Sequence, residues 1–276
     1  RRILNRHSPT RPKRVSSRPV CGVIWEMFGS GKEAMPRLIL AAILAVVVIS
    51  FDILIGSAWA EELVYRTSPM KLSGEVCKPA GKGPFPAVVF NHGGLRDIIG
   101  GDPNGTCRAL AEAGFVGFSP IRRSRPKMSK HIEDVMAAVD AVKALNFINP
   151  DQIALMGFSR GGLLSLMVAN RQPDFKALVI MGVAPGRGHL EREMADLSAI
   201  TAPVLLLVAE NDVGSRSTKN NNTVALMRSL DRALKSADKG ARMIVYPPYP
   251  GDGHQLFSTI GTYWNDVIAF LKRRLI

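Results

Sequence analysis

Gly157-Phe158-Ser159-Arg160-Gly161 follows the apolar run Gln152-Ile153-Ala154-Leu155-Met156 and precedes Gly162-Leu163-Leu164-Ser165-Leu166-Met167-Val168-Ala169-Asn170. The first flank suits a buried strand and the second a buried helix, so the pentapeptide falls at a strand-to-helix turn. A serine held there between glycines has the form of a nucleophile elbow. The turn is tight, the glycines carry no Cβ to clash, and the hydroxyl stands exposed at the end of the sheet. The pentapeptide alone can arise by chance at ordinary Gly and Ser usage. Its flanks are what make it decide the fold.

Outward from this turn, apolar runs at 63–67, 70–77, 86–91, 115–120, 152–156, 177–181, 203–209 and 241–246 read as strands, the first two as an antiparallel pair. Segments 106–113, 131–145, 161–170, 223–235 and 264–274 carry apolar residues at i, i+3 and i+4 and read as helices. The alternation predicts an α/β fold, a mostly parallel sheet of about eight strands with helices on both faces. Ligands of such sheets bind beyond the carboxyl ends of the strands. At those ends stand, in chain order, His92-Gly93-Gly94, Ser159, Asp212 and His254.

These residue types fit acyl transfer. A serine hydroxyl is a poor nucleophile at neutral pH unless a base takes its proton, and imidazole is the suitable base. His254 sits in the loop Gly251-Asp252-Gly253-His254-Gln255, while His131 falls at a helix start and His189 in a polar segment. Asp212 would fix the imidazole tautomer; Glu210 should face the other way on a continuing strand, and Asp252 is too close in sequence to His254. Backbone N–H groups of Gly93, Gly94 and Arg160 form the expected oxyanion hole, with the His92 ring bracing that loop. Arg122, Arg123 and Arg125 follow the strand at 115–120, where a solvated charge run competes with recognition of a substrate carboxylate by one of them or by Arg160. Segment 184–197 is a short cap, which points to an open cleft and small or accessible esters rather than a lipid tunnel.

The remaining sequence sets bounds. Residues 38–51 form an uncharged apolar run after Lys32 and Arg37, followed by Ala58-Trp59-Ala60. This predicts a signal peptide over 35–60, cut after Ala60, with export to a periplasmic or secreted location. An uncleaved anchor over 38–60 is the alternative, which Asp52 disfavours. Residues 1–34, rich in Arg, Pro and Ser, are expected to be a disordered basic leader, with Met35 as a candidate start. The chain carries +13 overall, and +7 over 61–276. That balance decides solubility and encounter rather than fold and gives no ground for nucleic-acid binding, and the basic leader lacks interleaved aromatics. Residues 61–276 suffice for one α/β domain. Cys77 and Cys107 form either one disulfide or two separate buried thiols. No metal-ligand spacing is present, and the chemistry needs no cofactor.

The elbow, the His-Gly-Gly loop, Pro84-Phe85-Pro86-Ala87-Val88-Val89-Phe90-Asn91-His92-Gly93-Gly94 and Leu205-Leu206-Leu207-Val208-Ala209-Glu210-Asn211-Asp212 together resemble the α/β-hydrolases, and within them the dienelactone hydrolase-like branch. The resemblance covers nearly all of 61–276. It implies the α/β-hydrolase fold and a hydrolase acting on a small-molecule ester, with Ser159, Asp212 and His254 as triad. Dienelactone hydrolases carry cysteine as nucleophile, so Ser159 favours a serine esterase of the same shape. The alternatives are a peptidase resembling the catalytic domain of prolyl oligopeptidases, and a binding protein of this fold without turnover.

Overall fold

The computed structural model describes residues 59–94, 98–124 and 127–276. The expected leader, the apolar run at 38–51 and Arg125 lie outside them.

Eight strands form one sheet: β1 (Trp59–Arg66), β2 (Leu72–Lys78), β3 (Phe85–Asn91), β4 (Val116–Pro120), β5 (Ile148–Phe158), β6 (Ala177–Met181), β7 (Val204–Ala209) and β8 (Ala241–Tyr246). Their order across the sheet is β1-β2-β4-β3-β5-β6-β7-β8. Only the β1/β2 and β2/β4 pairings are antiparallel. β1 starts earlier than the apolar pattern suggests, because Trp59 and Ala60 pair with Lys78 and Cys77 and the Trp59 ring packs edge-on against Phe147, far away in sequence. β5 lies at the centre and runs without interruption into Ser159, its end paired through Gly157 to Asn91 of β3 and to Ile180 of β6.

Period-two alternation divides the strand side chains between two faces. Val89, Leu155, Leu178, Ile180 and Leu206 pack against α2 (Met128–Lys143), α3 (Arg160–Ala169) and α5 (Thr223–Ser236). Val88, Phe90, Met156, Val179 and Leu205 pack against α1 (Pro103–Glu112) and α6 (Trp264–Leu275). α3 is apolar on all sides and buried from Gly161 to Ala169, as expected of a helix enclosed by neighbours. Each fully buried leucine in it contributes about 2 kcal/mol, so the helix that begins at the nucleophile is held rigidly. α4 (His189–Met194) is the short helix of the cap segment.

α1 is started by Asp102, whose carboxylate accepts from Gly105 N–H at 2.9 Å, and by Pro103 at its first position. Cys107 on α1 is bonded to Cys77 on β2, with Cα atoms 5.5 Å apart. The bridge, not the pair of separate thiols, is the state of these two residues. Among the described residues no helix is long and apolar enough to cross a membrane.

Candidate active site

Ser159 sits between the end of β5 and the first residue of α3 with φ 53° and ψ −115°. A non-glycine residue in that region costs roughly 1–3 kcal/mol and persists only where its surroundings enforce it. They do so here. Ser159 N–H donates to Met181 O at 2.8 Å, and Ser159 O accepts from Leu163 and Ala184. A Cβ on Gly157 would collide with the Gly161 carbonyl, and one on Gly161 with the Asn91 and His92 carbonyls. The two glycines are thus required by close backbone approach, while the strained φ belongs to the serine itself.

His254 lies on a single 3-10 turn, Gly253–Phe257, after β8. Its Nδ1 is 2.7 Å from Asp212 Oδ2, and both side chains are buried. A carboxylate acceptor at Nδ1 puts the ring proton there and leaves the Nε2 lone pair available. The ring packs against Phe158, the residue before Ser159, with centroids 4.7 Å apart and planes tilted by 37°. Gly182, next to the carbonyl that holds Ser159 N–H, fits into the same corner: a Cβ there would come within 3.3 Å of the His254 ring and 3.5 Å of Asp212 Oδ2. Asp252 caps the 3-10 turn, accepting from His254 N–H at 3.0 Å, and does not reach the ring nitrogen pair. Glu210 is exposed. His189 lies on α4, and His131 is engaged elsewhere.

Of the N–H groups expected to form an oxyanion hole, two are left without a backbone partner among the described residues. Arg160 is the first residue of α3, so its N–H has no partner within the helix and lies at the positive end of the helix dipole. Gly94 N–H makes no backbone hydrogen bond among the described residues. Gly93 is a correction to the expected set: its N–H donates to Gly100 O at 2.7 Å in an isolated bridge, which removes it from the hole. His92 braces this loop as expected. Its Nδ1 meets Gly93 O at 2.7 Å and its Nε2 accepts from Arg122 N–H at 3.4 Å. Burial, followed by the charge of Arg122, pushes the His92 pKa down to about 3 and keeps the ring neutral.

The arginines after β4 divide. Arg123 holds buried Asp134, with Nε 2.8 Å from Oδ2 and 3.0 Å from Oδ1, and Arg66 approaches the same carboxylate at 3.7 Å. Arg123 is therefore a structural ion pair rather than a substrate group or a solvated charge. Arg122 is buried and donates to His92 O at 2.7 Å.

Some residues of the site carry no pattern that sequence reading could use. Asn211 ties the Asp212 loop to the His254 loop, donating to Tyr249 O at 2.8 Å and accepting from Tyr249 N–H at 2.9 Å. Its neighbour Asp212 in an apolar strand end was the only hint. His131 accepts from Arg160 and lies beside Arg123 O. Glu75, Cys77 and Cys107 place potential metal-ligand atoms within 4.8 Å of one another, but the disulfide leaves no thiolate. A concavity of about 530 Å³ between α2, α3 and α4 is lined by Met128, Met167, Arg171 and His189 and includes no triad residue.

Residues 124–184 match the prolyl oligopeptidase family. A protein of Aquifex pyrophilus called "Protein usf" is 24% identical, the match covering 76% of this chain and 97% of that one. The structure of a Klebsiella pneumoniae protein provisionally described as a dienelactone hydrolase is similar at a TM-score of 0.58 and 18% identity, over 79% of this chain and 99% of that one. A hyperthermophilic esterase from the archaeon Pyrobaculum calidifontis is similar at a TM-score of 0.62 and 19% identity, over 79% and 85% of the two chains. At such identities the solved structures share a fold with this chain.

Proposed function

We propose that this chain, which has the α/β-hydrolase fold, is a serine hydrolase that cleaves carboxylic esters through an acyl-enzyme on Ser159. The observation that carries the reading is the 2.7 Å contact between Asp212 and His254 Nδ1, packed on the Phe158 ring next to a serine held at φ 53°. In the first step Ser159 Oγ attacks the ester carbonyl while His254 Nε2 takes the hydroxyl proton and Asp212 stabilises the imidazolium. The carbonyl oxygen becomes an oxyanion facing the N–H groups of Arg160 and Gly94. Collapse breaks the bond to the alcohol, which leaves with the proton from His254. Water then attacks the acyl-enzyme with its proton going to His254, and the acid is released as Ser159 recovers its hydrogen.

Small or accessible esters are the favoured substrates, because the cap is reduced to the six-residue α4. A peptidase of the prolyl oligopeptidase type is the second reading, supported by the match over residues 124–184. Export belongs to the same proposal: the Cys77–Cys107 bridge suits an oxidising compartment, and the 38–51 run with its small-residue site suits a signal segment, an uncleaved anchor being the other form. Turnover of nitrophenyl esters of short and long acyl chains, set beside aminoacyl anilides, tests it. Short esters should be hydrolysed fastest and Ser159→Ala should abolish the reaction. Hydrolysis of the anilides alone would favour the peptidase.

A further inference from the structure

His254 is held by its backbone as well as by its ring. Asp252 Oδ1 accepts from His254 N–H at 3.0 Å, and Asp252 Oδ2 accepts from the Ser217 hydroxyl at 2.6 Å. Burial alone would raise the Asp252 pKa, but hydrogen bonds from Ser217 and from His254 N–H hold the carboxyl below its usual range, so both oxygens stay acceptors. Ser217 belongs to the segment 213–222, which joins Asp212 to α5. That segment is exposed over much of its length yet closed on itself. Ser215 N–H donates to Thr218 Oγ1 at 2.9 Å, Asn220 N–H donates to Ser215 O at 2.7 Å, and the Ser215 and Ser217 hydroxyls lie 2.8 Å apart. Lys219 and Asn220 adopt φ 54° and 60°, a left-handed conformation that costs a non-glycine residue free energy and is kept where the surroundings enforce it. Its ends are tied as well. Asn222 Oδ1 accepts from Ala225 N–H at 2.9 Å at the start of α5, and Asp212 O accepts from Val224 N–H at 3.1 Å. A circuit of contacts thus runs from Asp212 through the segment to Ser217, Asp252 and His254, and closes where His254 Nδ1 meets Asp212 Oδ2 at 2.7 Å. Across it the two loops touch: a Cβ on Gly253 would come within 2.5 Å of Asp212 N and 2.6 Å of Asn211 Oδ1.

We propose that Ser217 and Asp252 are positioning residues of the hydrolytic reaction: the 213–222 segment holds Ser217 on Asp252, and Asp252 holds the His254 backbone so that the ring keeps its contact with Asp212. The proposal rests on the ester-hydrolase reading above and adds two residues to its machinery. Neither residue touches the imidazole or the reacting atoms. Asp252 lies too close in sequence to His254 to reach the ring, and the same closeness lets it grip the N–H. That grip matters because His254 sits on a single 3-10 turn, Gly253–Phe257, and so short an element has few hydrogen bonds of its own to fix the direction of a side chain. A catalytic group misplaced by about 1 Å can cost about 10²-fold in rate. The loss falls on the chemical step, since substrate binding does not involve the clamp.

The test uses the full chain and its variants with nitrophenyl butyrate, and follows the far-downfield proton NMR signal of the Asp212–His254 hydrogen bond in parallel. Ser217→Ala should lower kcat about tenfold, the scale of one hydrogen bond to a charged group, and Asp252→Ala about a hundredfold, the scale of a displaced catalytic ring. KM should hold. The NMR signal should broaden or vanish in both variants under conditions where circular dichroism shows them folded. Ser217→Thr, which keeps the hydroxyl, and Asp252→Asn, which keeps an oxygen for His254 N–H, should recover most of the rate. Ser217→Ala added to Asp252→Ala should cost nothing further, because the two residues act through one contact. Should Asp252→Ala fail to fold, Ser217→Ala and its threonine rescue carry the test. An unchanged kcat in Ser217→Ala, a loss confined to KM, additive losses in the double variant, or an unchanged NMR signal in a slowed variant would overturn the clamp. A signal that weakens in both variants of a chain that hydrolyses no ester supports the clamp and overturns the ester reading instead.

Discussion

Two buried polar clusters flank Ser159, and they differ in how their charges are balanced. Toward β7 and β8, one carboxylate, Asp212, meets one imidazole, His254, at 2.7 Å, so a proton arriving on the ring is compensated at once. Toward β4 and α2, His92, Arg122, His131 and Arg160 gather with neutral rings and uncompensated guanidiniums, while the local carboxylate, Asp134, is taken up by Arg123 and Arg66. In the proposed mechanism the first cluster changes protonation state during the reaction, whereas the second keeps its rings neutral beside positive charge.

Variants that break this contrast should differ widely in effect. Ser159→Ala and His254→Ala should each lower kcat/KM by about 10⁶-fold, since members of such a unit fail together, with circular dichroism unchanged. Asp212→Asn should cost about 10⁴-fold at neutral pH through loss of the correct tautomer. A loss under tenfold there would show that the carboxylate does not orient His254. Asp134→Ala should destabilise by about 3–5 kcal/mol in urea unfolding, because it removes the fully buried carboxylate that Arg123 and Arg66 share. A shift below 1 kcal/mol would mean that Arg123 relaxes into solvent and that the cluster is less constrained than its hydrogen bonds imply.

How much of this was legible in the sequence follows from the range of the interactions. The elbow was readable because the glycine–serine–glycine pattern lies between an apolar strand run and an apolar helix run, although Gly161 is held by the distant Asn91 and His92 carbonyls and Ser159 by Met181. Asp212 and His254 were readable because β7 and β8 are apolar enough to show where their strands end. The boundary of β1 was not, since Trp59 and Ala60 join it by pairing with β2 and by the contact of Trp59 with Phe147, both distant in sequence. Gly93 was misplaced in the oxyanion hole because its partner, Gly100, is found only once the loop has folded back. Arg122 and Arg123 are adjacent in sequence, yet one meets Asp134 and the other a carbonyl. That outcome depends on α2 docking beside β4, which no local pattern encodes.

Smaller effects sharpen the comparison. Replacing both Cys77 and Cys107 by Ala should cost about 2–4 kcal/mol by releasing a 30-residue separation in the unfolded chain, measured as the shift in unfolding midpoint against the oxidised chain. Activity per folded molecule should hold, since the bridge lies between β2 and α1 and not at the site. Stability should also fall as pH drops from 6.5 toward 4. His92 and His131, pushed down to about 3 and about 4 chiefly by burial, stay unprotonated in the folded chain while the unfolded chain binds protons below 6.5. The slope of unfolding free energy against pH checks this, and His131→Gln should flatten it.

The central claim is that Ser159 is the nucleophile, and covalent labelling tests it most directly. A fluorophosphonate incubated with the folded chain should add one phosphonyl group, located by peptide mass at Ser159 and absent in Ser159→Ala. A folded chain that stays unmodified, or that takes the label at another residue, would contradict the account.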